Sequence, residues 1–137
     1  MRYWLLRSEP DVYGWDHLIA DGDTEWDGVR NYTARNFLKE MTLGDRAIFY
    51  HSNKEKAAVG TMEITRAWRP DGEKGEWASV AVRPLDRLPE PVPLATMKAD
   101  PRLASLEVLR QSRLSVTPVR EEEWRVLMEL GGLSVAS

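Results

Sequence analysis

The 137-residue chain reads as a single α+β domain, residues 1–137, built around a curved and mainly antiparallel sheet. Three observations predict this. The stretches 46–52, 57–68 and 76–88 are rich in β-branched and aromatic residues and are separated by short polar turns. Residues 31–41 form an amphipathic helix, because Ala34, Phe37, Leu38 and Met41 recur on one helical face. No linker, internal repeat or low-complexity stretch divides the chain.

Tyr3 to Leu6 is an unbroken aromatic and aliphatic run, short enough for a buried strand, and Arg7-Ser8-Glu9-Pro10 ends it. A short helix over 15–20 packs Trp15, Leu18 and Ile19 and closes at Asp21-Gly22. Thr24 to Trp26 is extended, and Asp27-Gly28 turns the chain into the main helix. Asn31 is placed to cap that helix with its side-chain oxygen, and Gly44 to end it as a C′ residue.

Arg46 to Ser52 is the next strand, followed by a polar turn over 53–56. In the strand 57–68, alternation puts Val59, Thr61, Glu63 and Thr65 on one face, with Met62 and Ile64 on the other. Pro70-Asp71-Gly72 makes a hairpin turn into the strand 76–88, and Pro89, Pro91 and Pro93 stop it. Two short helices, 94–100 and 101–109, precede a last strand over 113–119. The final helix, 121–130, buries Trp124, Leu127 and Met128, carries three glutamates in its first turn and closes at Gly131-Gly132.

Composition narrows the functional classes. A net charge of −3 argues against a general polyanion binder, so nucleic-acid contact would come from a local basic patch or a pocket that reads one base. With no cysteine, disulfides, thiolate metal sites and cysteine nucleophiles are excluded, and a cytoplasmic location is the expectation. No apolar run approaches the ~20 residues of a membrane span, so no membrane partner is expected. His17 and His51, the two histidines, have no ligand cluster beside them, and no phosphate- or dinucleotide-binding glycine pattern occurs; no metal and no cofactor are expected.

What remains is polar residues at element ends: Arg7-Ser8-Glu9, then Asp27 to Asn31, then Tyr50 to Asn53. Arg30 and Arg35 stand near a helix N-terminus, where the macrodipole disfavours cations, and such local conflicts tend to mark functional positions. With Trp26 beside them, they offer an aromatic plane, both hydrogen-bond polarities and a cation, a set suited to a planar heterocycle such as a nucleobase.

At these residues the chain resembles the EVE-domain family. The resemblance is carried by YWLLRSEP (3–10), WDGVRNY (26–32), ARNF (34–37), FYHSN (49–53), RQ (110–111) and RLSV (113–116). It implies a PUA-like fold: a pseudo-barrel of five or six strands, mainly antiparallel, flanked by helices. It also implies a pocket beside the 26–31 turn that takes a flipped, modified cytosine or adenine. Carried over by position, Trp26 would be the stacking wall; Ser8, Asn31 and Asn36 would hydrogen-bond near the base, with Glu9 and Asp27 as acceptors. Tyr50, His51 and Ser52 would line the opposite strand end beside Asn53, with Gly28 and Val29 in the turn itself. Arg30, Arg35 and Arg113 would meet phosphate or the last strand. The chain departs from the family at Arg7, where lysine is usual, and in a shortened hairpin over 68–76.

Three functional readings follow. The first is a non-catalytic module that binds a modified base in RNA or DNA. The second is an enzyme acting on a base or nucleotide, with Glu9, Asp27 or His51 as general base. The third is a small-molecule sensor using the same pocket.

Overall fold

The computed structural model describes residues 1–133, so the last four residues of the expected 1–137 domain lie outside the described part. The strands are β1 (Tyr3–Ser8), β2 (Thr24–Trp26), β3 (Arg46–His51), β4 (Ala57–Asp71), β5 (Trp77–Pro93) and β6 (Val116–Val119). They pair in the order β2-β5-β4-β3-β1-β6, so β2 and β6 are the two edges of an open sheet. β1 and β3 run parallel and the other pairings are antiparallel. A parallel pair needs a long crossover. Here it holds the short helices α1 (Pro10–Tyr13) and α2 (Trp15–Asp21), then β2 and α3 (Tyr32–Glu40). That crossover visits the far edge of the sheet before returning, which is how Trp26 and the turn after it reach the end opposite β1.

Strand alternation sorts the core into two layers. Trp4 and Leu6 of β1 and Ala47 and Phe49 of β3 join Trp15, Trp26, Leu38, Met62 and Ile64 on one face. Leu5, Ile48 and Tyr50 point the other way, into a cluster with Leu88, Met97, Trp124 and Leu127. The second layer lies beneath α4 (Leu94–Ala99), a 3₁₀ turn at Pro101–Leu103, α5 (Glu107–Arg110) and α6 (Glu121–Leu130). Asp45, 2% exposed, ties the start of β3 to β1: its carboxylate accepts from the Trp4 indole at 3.0 Å, the Arg2 N–H at 3.1 Å and the Thr42 N–H at 3.0 Å.

Several local expectations are corrected. Ile19 is 53% exposed rather than packed, because Trp15 and Leu18 already fill the buried face of α2. α3 ends one turn before Gly44: Met41 is its C-cap in an extended conformation, and Gly44 turns the loop with φ +93°. Val59 shares a core layer with Met62 and Ile64, although strict alternation separates them; ladder shifts around Gly60 reset the register. The prolines do not stop β5. The ladder breaks between the pairs Gly60–Arg87 and Ala58–Val92, and Pro89 and Pro91 lie in that break, where no ladder N–H is needed. Gly60 is also where the Trp15 indole lies flat against backbone, since a Cβ there would come within 2.3 Å of the ring.

Candidate functional site

The sheet curls far enough that its two ends line one cleft. Arg7 and Ser8 of β1, with Ser115 just before β6, face Thr24, Glu25 and Trp26 of β2 and the turn Asp27-Gly28-Val29-Arg30; Val12 and Tyr13 close the side. The cleft holds about 600 Å³, enough for a nucleobase. The polar residues that end β1 and follow β2 converge here.

Trp26 is 8% exposed and belongs to the core, meeting Phe49 edge-on at 5.6 Å and Tyr13 edge-on at 6.4 Å. Its indole is therefore part of the cleft floor, not a free-standing wall. The turn after it is held by the β4–β5 hairpin. Asp71 accepts from the Gly28 N–H at 3.1 Å and from Arg30 Nη1 at 3.0 Å through the same oxygen. These bonds hold the Asp71 carboxyl below its ordinary range, the Arg30 guanidinium contributing most. Gly28 has φ +78°, a conformation that glycine adopts without strain. Arg30 also lies over the Trp77 ring at 5.5 Å; Trp77 stacks on Tyr32 at 4.9 Å, and Arg35 covers Tyr32 at 4.9 Å.

The two carboxylates of the cleft differ. Glu25 is held by Arg66 at 2.6 Å and Arg69 at 3.2 Å and accepts from the Ser79 hydroxyl. The Arg66 guanidinium is the chief reason its carboxyl is pulled down to about 2. Asp27 is exposed and has no hydrogen-bond or ion-pair partner among the described residues. Arg7 is partly committed, donating to the Ser112 carbonyl and, at 3.4 Å, to that of Leu114, so it staples the chain before β6 to β1. The Ser8 hydroxyl donates to the Tyr13 carbonyl at 2.5 Å. Tyr13 in turn donates to Asp21 at 2.8 Å, with burial first and that bond second in raising its phenol.

Of the residues expected at the site, Arg7, Ser8, Trp26, Asp27, Gly28, Val29 and Arg30 line the cleft, and the others do not. Asn31 spends its side-chain oxygen on the Ala34 N–H at 3.0 Å, the cap that its position predicts. Asn36 accepts from Arg35, whose guanidinium also reaches the Glu76 carbonyl at 3.2 Å. Glu9 caps α1 through its backbone carbonyl. Tyr50 is 1% exposed within the second core layer, beneath Arg7. Ser52 is 9% exposed, and its N–H is bound to the Ser8 carbonyl. Asn53 sits in a left-handed turn at φ +67°, and Arg113 is exposed in the turn before β6.

His51 is 9% exposed and structural in its bonding. Nε2 accepts from the Trp15 N–H at 3.0 Å and Nδ1 lies 2.7 Å from Glu55, so the ring has no spare lone pair for proton abstraction. Of the three candidate general bases, only Asp27 lines the cleft. Sequence reasoning missed Val12, Tyr13, Thr24, Glu25 and Ser115, and it missed Asp71 and Trp77 as supports. The Asp-Gly of the hairpin tip was a legible signal for a turn, but nothing local says that this turn meets residues 28–30.

The EVE-domain family model matches residues 2–130. A solved structure of a Rhodopseudomonas palustris protein is 43% identical, with a TM-score of 0.91 over 96% of this chain and 94% of that one. Mouse thymocyte nuclear protein 1 is 33% identical across 93% of this chain and 73% of its own length. The human THYN1 protein, solved in complex with DNA containing 5-methylcytosine, is 31% identical with a TM-score of 0.88 over 98% of this chain and 99% of that one.

Proposed function

The chain belongs to the EVE-domain family, and on that premise we propose that it is a nucleic-acid-binding module that takes a modified cytosine or adenine, turned out of its strand, into the cleft floored by Trp26. The observation that carries this reading is the cleft itself. It has the volume for one base, an aromatic floor and a free acceptor, with guanidinium groups on two sides in a chain whose net charge is −3. Local cations at one opening suit a phosphate backbone delivering a single nucleotide better than an extended basic face does. The human relative with 5-methylcytosine DNA supports cytosine as the first base to test and DNA as the first polymer.

Thermal shift provides the test, since a ligand that binds the native state raises the melting temperature. Single-stranded DNA and RNA carrying one 5-methylcytosine or one N6-methyladenine are compared with unmodified strands of the same sequence. The expected result is a larger rise with at least one modified strand than with its unmodified counterpart. An identical response to every strand, or none, contradicts the proposal.

A further inference from the structure

We infer that Asp27 is the residue that makes the cleft select a base with an exocyclic amino group over its keto counterpart, so that 5-methylcytosine is preferred to thymine. This deepens the base-binding reading and rests on it. Two carboxylates line the cleft, but Glu25 is consumed by Arg66, Arg69 and Ser79. Asp27 is left as the one cleft carboxylate without a partner among the described residues. Its backbone neighbourhood is fixed by the Asp71 bond to the Gly28 N–H at 3.1 Å, so this carboxylate is offered from a held turn and not from a free loop.

The chemistry is decisive because an ionised carboxylate only accepts hydrogen bonds. Cytosine presents an amino donor at position 4, where thymine presents a carbonyl acceptor. 5-Methylcytosine and thymine share the ring and its methyl group, so an aromatic floor and an apolar rim at Val12 gain nearly the same from either. Asp27 separates them: it accepts from the amino group of one and confronts the carbonyl lone pairs of the other. Donors complete the pattern on the remaining edge, where the hydroxyls of Thr24 and Ser115 and the guanidinium of Arg30 also line the cleft and suit the acceptor atoms of cytosine. With ring and methyl group shared, this clash of acceptor against acceptor is what separates the two bases.

The experiment measures fluorescence anisotropy with short labelled single-stranded DNA carrying one 5-methylcytosine or, at the same position, one thymine. Wild type, Asp27→Asn and Asp27→Ala are compared, with melting temperatures taken to verify folding. Wild type is expected to prefer 5-methylcytosine by about tenfold or more, as for a hydrogen bond to a charged acceptor. Both variants are expected to lower that ratio below about threefold, the Asn amide being able to turn a donor toward the thymine carbonyl. Equal wild-type affinity for the two strands, or an unchanged ratio in the variants, overturns the role of Asp27 while leaving the base-binding reading standing. Failure of wild type to bind either strand contradicts that reading for cytosine, and the inference falls with it.

Discussion

Asp71, at the tip of the β4–β5 hairpin, and Arg30, after the turn that ends β2, meet at 3.0 Å, and the oxygen that binds the guanidinium also binds the Gly28 N–H. One carboxylate thus fixes both the backbone and the cation of a turn far away in sequence. The surroundings of each also explain how two arginines are tolerated near the N-terminus of α3. Arg30 is paired with Asp71 and rests on Trp77, and Arg35 rests on Tyr32 and donates to the Glu76 carbonyl and the Asn36 side chain. The shortened hairpin remains long enough to hold the cleft wall.

Asp71→Ala is therefore expected to weaken binding of a modified strand by about tenfold while lowering stability by about 1 kcal/mol or less, since the Arg30 side chain is 45% exposed and the ion pair is screened. Anisotropy and urea denaturation on the same samples separate the two effects. Affinity unchanged beside intact folding would show that the clamp does not serve the cleft.

Glu25 gives a pH prediction with a definite sign. Its folded carboxyl is depressed from 4.5 to about 2, so its stabilising contribution is complete above about pH 4.5 and is lost as the pH falls toward 2. The melting-temperature gap between wild type and Glu25→Gln should be widest near pH 7 and should close across that acid window. A gap that persists at pH 2 contradicts the assignment.

Trp26→Ala is expected to cost about 3–5 kcal/mol, because the indole packs against Phe49 and Tyr13 as well as bordering the cleft. Trp26→Phe should keep more of that stability and still alter binding. Urea unfolding midpoints rank the two; an Ala variant as stable as wild type would mean that the ring is not part of the core.

Gly60→Ala should destabilise by about 1–3 kcal/mol or more, since the new methyl would meet the Trp15 ring at 2.3 Å. Combining it with Trp15→Leu should cost less than the sum of the two single changes, because the smaller side chain makes room. Strict additivity in denaturation experiments would argue against the contact.

Local chemistry was legible in the sequence where one or two neighbours decide it. Asn31 caps α3 as its position predicts, the glutamates stand in the first turn of α6, and Trp26 ends its strand immediately before a glycine turn. The six strands and the curved sheet also follow from pattern. What pattern did not carry is register: ladder shifts near Gly60 move Val59 to the other face and give Pro89 and Pro91 a place inside β5. Nor does spacing show which polar side chains are already committed. Asn31, Asn36 and His51 have the chemistry of a binding site, but each is spent on a backbone N–H or a neighbouring guanidinium. The cleft set depends on which strand ends the curl brings together, a property of sheet order and not of any short motif.

The central claim is that a base enters the cleft over Trp26. A ¹H–¹⁵N NMR titration with 5-methylcytosine DNA tests it most directly, with the tryptophan indole signals assigned through single Trp→Phe variants. The account predicts shifts at the Trp26 indole and at the amides of residues 27–30, with the Trp124 indole unmoved in the opposite core layer. Binding that leaves the Trp26 indole and residues 27–30 unshifted would contradict it.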